Sequence, residues 1–232
     1  MKTWMLAALS LALSQNSIAQ SSLSGAWQSS AGDNEIVFVI IDDYVSFSSY
    51  DRDAKKFNFT WGGVVKQDNN KLTINTEFNS HDPDEVGRIK NYEFQLRDGK
   101  LLLSSDGKED TYTRIDEGKG DLAGTWRISA RMQGDKMNPI TPGPRKTLKI
   151  LSGTRFQWVA INTETKEFFG TGGGTCTFKD GKYTETIEFF SRDNSRVGAS
   201  LSFDGKVKNG VWTHSGLNSR GEPLMEEWTR IN

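Results

Sequence analysis

The chain is written twice. LSGAWQSS at 23–30 returns as LAGTWRIS at 122–129, and YTRID at 112–116 returns as WTRIN at 228–232. Between these anchors a constant offset of 111 residues lays Phe47 over Trp158, Trp61-Gly62-Gly63 over Gly172-Gly173-Gly174, Phe78 over Phe189, Val86-Gly87 over Val197-Gly198 and Gly99 over Gly210. The first anchor is offset by only 99, so the second half carries 12 extra residues near 131–144, RMQGDKMNPITPGP. Self-similarity on this scale means two copies of one fold rather than one large domain. The copies are expected at 20–116 and 121–232, joined at DEGKG (116–120).

Each copy reads as short strands broken by turn residues. In the second, strands are expected at 124–132, 145–151, 154–162, 166–178, 182–191, 196–206, 210–216 and 223–231, with NTETKE, KDGK, RDNSR and VKNG between them. No segment carries a convincing amphipathic-helix period. Sequential strands of this length predict an all-β chain of two tandem eight-stranded antiparallel up-and-down barrels.

Gly-x-Trp stands in the first strand of each copy, as Gly25-Ala26-Trp27 and Gly124-Thr125-Trp126, and an arginine stands on the last, Arg114 and Arg230. This pairing resembles the lipocalin (calycin) signature, in which the arginine packs over the tryptophan as a cation–π lid on the barrel bottom. The second half is also similar to secreted lipocalin-like proteins of Bacteroidetes, along ILSGTRFQWVAINTETKEFFGTGGGTCTFKDGKYTETIEFF, with Cys176 where an aromatic is expected. The resemblance covers nearly all of the chain after its leader. It implies lipocalin-like barrels and brings no settled function.

The leader itself is MKTWMLAALSLALSQNSIAQ. Lys2, the apolar run from Trp4 to Leu13 and the small residues Ser17 and Ala19 read as a secretory signal peptide at 1–19, cleaved after Ala19. No later run is apolar enough to span a membrane, so a secreted or periplasmic protein is expected. A net charge of −1 gives no case for nucleic acid. With two histidines in different copies and one cysteine, no metal and no cofactor are expected. Cys176 is expected to behave as a buried apolar residue. The glycine run at 170–174 is no phosphate loop, because Thr175-Cys176 stands where a P-loop needs lysine. Oligomeric state is not legible.

With Trp27 and Trp126 pointing inward, strand alternation assigns the other faces. In the first copy Val45, Phe47, Phe57, Phe59, Trp61, Gly63, Val65, Leu72, Ile74, Thr76, Phe78, Leu101 and Leu103 are expected inside, an apolar filling. Carried across by 111, Phe59 and Trp61 become Gly170 and Gly172, Leu72 becomes Tyr183, Ile74 becomes Glu185, Leu101 becomes Trp212 and Leu103 becomes His214. The extra glycines either admit Trp158 and Trp212 or leave room for a ligand. Trp158, Gly170, Gly172, Tyr183, Glu185, Trp212 and His214 are therefore the candidate binding residues, a mostly apolar wall with few polar groups. The expected function is binding of a small apolar or aromatic ligand by an exported protein. One alternative is a barrel enzyme (isomerase, cyclase or hydrolase) using Glu185 and His214 as acid and base. The other is a structural or protein-interaction module of the cell envelope, contacting partners through 131–144.

Overall fold

The structure, a computed structural model, describes residues 23–231; the expected leader and its cleavage site lie outside them. The first copy forms β1 (Gly25–Ala31), β2 (Asn34–Ile41), β3 (Tyr44–Asp51), β4 (Lys56–Asp68), β5 (Lys71–Asn79), β6 (Ile89–Arg97), β7 (Lys100–Ser105) and β8 (Lys108–Asp116). Consecutive strands pair antiparallel and β1 closes on β8, which makes an eight-stranded barrel. The second copy forms β9 (Gly124–Gln133), β10 (Lys136–Pro139), β11 (Arg145–Leu151), β12 (Arg155–Asn162), β13 (Glu167–Lys179), β14 (Lys182–Phe190), β15 (Ser200–Lys208), β16 (Val211–Leu217) and β17 (Pro223–Arg230). Here β9 closes on β17, and β10 is a short hairpin strand added by the 131–144 insertion. The strand expected at 196–206 begins later, at Ser200. Asp193 accepts a hydrogen bond from Ser195 N and caps a 3-10 turn over Asn194–Arg196, as Asp82 does in the first barrel.

The barrel bottoms are built alike. Trp27 Nε1 donates to Leu23 O at 2.9 Å, and Trp126 Nε1 donates to Leu122 O at 2.8 Å. The Arg114 guanidinium lies 3.9 Å from the centre of the Trp27 ring, and that of Arg230 lies 5.6 Å from Trp126. Both tryptophans are fully buried, so an arginine seals each bottom with its charge over a ring face.

The register shifts at three places in each barrel: once in the closing pair, β1–β8 and β9–β17, and twice more at matched positions. Pairing jumps from Ser49↔Phe59 to Tyr50↔Phe57 and from Gly62↔Phe78 to Gly63↔Thr76, which leaves Asn58 and Glu77 as the extra residues. A bulge reverses the faces of everything beyond it. Phe57 and Phe78, expected inside, therefore pack outside the first barrel. The second barrel repeats the shifts at Phe169 and Glu188.

These outward residues meet the other barrel. Val37, Val39, Ile41, Tyr50 and Phe78 form one buried cluster with Leu148, Ile150, Val159, Ile161 and Phe189. Phe189 stacks on Tyr50 at 4.7 Å and on Phe57 at 5.9 Å. The bulge glutamates then cross the joint in opposite directions. Glu77 accepts from Lys146 Nζ at 2.8 Å, while Glu188 accepts from Tyr50 Oη at 2.8 Å and Arg52 Nη1 at 3.2 Å. Asp116 ends β8 by accepting from Ser152 Oγ, Gly153 N and Thr154 N at 2.7 to 3.0 Å, which ties the linker to the second barrel.

Candidate functional site

The interior of the first barrel is a solid aromatic and aliphatic core. Phe38, Phe47, Phe59, Trp61, Tyr92 and Tyr112 pack on one another, stacked or tilted, with ring centres 5.5 to 6.4 Å apart. Leu72, Ile74, Leu101 and Leu103 fill the space beneath them.

The 111-residue offset shows what the second barrel does with the same positions. Phe38 becomes Lys149, Phe47 becomes Trp158, Phe59 becomes Gly170, Trp61 becomes Gly172 and Tyr92 becomes Phe203. Three rings are lost, and the upper half of the barrel opens into a chamber of about 640 Å³. That size suits a small organic molecule, for which pockets run from ~300 to ~1,000 Å³. Trp158, Phe190, Leu201, Phe203, Leu224 and Trp228 supply its apolar wall.

The wall is also split at the top. β1 and β2 pair along their whole length, from Gly25↔Ile40 to Ala31↔Asn34, but β9 and β11 pair only from Gly124↔Leu151 to Arg127↔Leu148. Above Arg127, β9 pairs with β10 instead. Met132 and Thr147 line the chamber along this seam. The loop joining β16 to β17 is also enlarged, and Asn218, Ser219 and Arg220 rim the opening.

Two polar assemblies line the chamber. In the first, Lys149 Nζ lies 3.2 Å from Glu185 Oε2, and both side chains are below one-tenth exposed. Four rings surround the ammonium: Tyr183 at 4.9 Å, Trp212 at 5.2 Å, Trp228 at 5.4 Å and Phe203 at 5.8 Å from their centres. An isolated buried charge is unfavourable, and this one has a carboxylate and several π faces in place of water. Burial, then the Glu185 charge, holds the Tyr183 hydroxyl far above its ordinary pKa, so it stays protonated.

In the second assembly Glu226 Oε1 accepts from Arg131 Nε at 2.9 Å and Nη2 at 2.5 Å, and Glu226 Oε2 lies 3.0 Å from His214 Nε2. Burial alone would raise the Glu226 pKa. The His214 hydrogen bond and the charges of Lys149 and Arg131 outweigh it and hold the carboxyl below its usual range. Burial, and next the Lys149 charge, pushes His214 down from its ordinary value near 6.5. A neutral imidazole beside a carboxylate must carry its proton on Nε2. His214 Nδ1 is then a bare nitrogen, buried and without a partner among the described residues.

Of the expected residues, Trp158, Glu185 and His214 line the chamber. Tyr183 and Trp212 are fully buried beneath it, in edge contact at 5.0 Å. Glu185 and His214 face the same space but are bonded to different partners, Lys149 and Glu226. The glycines serve packing at close quarters. A Cβ on Gly172 would come within 2.7 Å of Trp158 Nε1 and 2.9 Å of the Phe190 ring, so Gly172 admits Trp158. A Cβ on Gly170 would meet Arg192 Cδ at 3.3 Å, so Gly170 is a notch for that arginine. Trp212 is accommodated elsewhere, with its Nε1 3.5 Å from where Gly205 would carry a Cβ. Gly173 and Gly174 repeat Gly62 and Gly63 at the second bulge. Cys176 is buried in the core where the first barrel has Val65; burial, then the Glu185 charge, pushes its thiol up to about 12.

Lys149, Glu226, Arg131 and Arg192 were missed from sequence. The offset that placed Glu185 also sets Lys149 over Phe38, between Leu148 and Ile150 in KTLKIL. The loop at 218–222 had its own signal: the closing anchors YTRID and WTRIN stand 116 apart, five more than the 111 of the preceding strands. No protein-family model matches the chain, and the search of curated proteins found no match.

Proposed function

We propose that this is an exported binding protein of lipocalin-like design, whose second barrel holds a small molecule with an apolar, aromatic body. The first barrel is its solid structural companion. The observation that carries this reading is the loss of three rings at matched positions, Phe38, Phe59 and Trp61 against Lys149, Gly170 and Gly172, together with a chamber of about 640 Å³ lined by Lys149, Trp158 and Phe203. The expected leader supports export.

The test uses phenylnaphthylamine, a neutral aromatic probe whose fluorescence rises in an apolar site. Binding to the intact protein is expected, with quenching of chamber tryptophans. The triple variant Trp158→Phe, Gly172→Trp, Phe190→Asn writes the residues of the first barrel, Phe47, Trp61 and Asn79, back into the second. It should keep the far-ultraviolet spectrum of a β protein and lose the probe. Absence of binding by the unaltered chain to neutral and charged aromatic probes alike would overturn the reading.

A further inference from the structure

We propose that the ligand is an amphipathic organic anion, a ring system bearing a carboxylate or a like acid group, held with its rings in the chamber and its charge at the mouth. This rests on the binding reading above and adds the ligand's charge to it.

The charges lining the chamber do not balance. Arg131, Lys149, Arg192 and Arg220 face Glu185 and Glu226, four cations against two carboxylates, in a chain whose net charge is −1. Both carboxylates are already engaged, Glu185 by Lys149 and Glu226 by Arg131 and His214. Apart from the buried acceptor His214 Nδ1, the unsatisfied capacity of the charged lining is therefore in donors. Arg131 commits Nε and Nη2 to Glu226 and keeps Nη1, with half of its side chain exposed. Arg192 makes no ion pair or hydrogen bond among the described residues, and its side chain lies in the notch that Gly170 leaves beside the mouth. Among the described residues the Arg220 guanidinium is paired only with Glu222, at 3.0 Å on the exposed loop.

Position strengthens the case. In an up-and-down barrel the β9–β10 hairpin, the 191–199 loop and the 218–222 loop all lie at one end, opposite Trp126 and Arg230. Each of the three brings one arginine to the rim. None has a counterpart in the filled barrel: Arg131 and Arg220 belong to the two enlarged connections, and Arg192 stands over His81. Guanidinium groups converging on an aromatic chamber suit an acid group on a planar body, since the fork of N–H donors matches a carboxylate. An amine ligand is disfavoured, because Lys149 already places its own ammonium among the aromatic rings.

The experiment compares two probes that share their rings and differ in charge: anilinonaphthalenesulfonate, an anion, and phenylnaphthylamine, which is neutral. The full chain should bind the anion more tightly. Raising salt from about 50 to about 500 mM should weaken the anion and leave the neutral probe unchanged. Arg192→Gln with Arg220→Gln, both on the exposed rim, should cost the anion about threefold to tenfold in affinity and the neutral probe nothing. Equal binding of both probes, indifferent to salt and to the two substitutions, would overturn the anion inference and leave the chamber reading standing. If neither probe binds, both fall.

Discussion

Lys149 and Glu185 are the residues by which the second barrel departs furthest from the first, where Phe38 and Ile74 occupy the same places. A buried pair of this kind is held by mutual compensation rather than by net gain, because each ion loses its hydration. Lys149→Met should therefore leave Glu185 an uncompensated buried carboxylate and lower stability by about 3–5 kcal/mol. Lys149→Phe together with Glu185→Ile copies the apolar pair of the first barrel and should recover most of that loss. Denaturant unfolding of the single and double variants measures the difference. A Lys149→Met protein as stable as the parent would show that the Glu185 carboxylate does not depend on Lys149 for its compensation.

The strands were legible because their signals are local. The constant offset carries β3, β4, β5 and β6 onto β12, β13, β14 and β15 residue for residue, and turn residues mark the ends. The bulges were not legible, since alternation along one strand says nothing of an extra residue opposite its neighbour. That is why Phe57 and Phe78 were expected inside and lie outside. The same limit applies to the candidate site. Glu185 could be placed by parity because it lies on the near side of the β14 bulge, and His214 because β16 carries no register shift, but parity alone does not name their partners Lys149 and Glu226. The glycines of β13 separate along this line. Gly174 stands at the bulge, where a Cβ would lie 2.2 Å from Thr186 O, and its partner Gly63 would place one 1.9 Å from Asn75 O. Either changed to Ala should cost about 3 kcal/mol or more, because backbone must move. Gly172 would meet the Trp158 side chain, which can shift, so Gly172→Ala should cost only about 1 kcal/mol. Comparable losses at all three positions would contradict this division between fold glycines and chamber glycines.

At the scale of the molecule, the bulges do a second task. By turning Phe57, Phe78, Phe189 and the two glutamates outward, they convert each barrel wall into half of an apolar joint. The joint is nearly symmetric, with Glu77 reaching Lys146 in one direction and Glu188 reaching Arg52 in the other. One barrel of the pair can then be spared from packing its own interior fully, because the solid barrel braces it from outside. Two folds joined through so much buried apolar surface should melt as one unit. In calorimetry the measured and van't Hoff enthalpies should agree for the whole chain, and amides of β5 and β14 should exchange with the same opening free energy. Phe189→Ala removes the ring that stacks on both Tyr50 and Phe57, and should cost about 3–5 kcal/mol by opening a cavity in the joint. With the brace loosened, the second barrel, which lacks three rings and holds a chamber, should open first, and the single transition should divide into two. Two transitions in the unaltered protein would instead mean that the barrels stand independently, and that the chamber is stable without its neighbour.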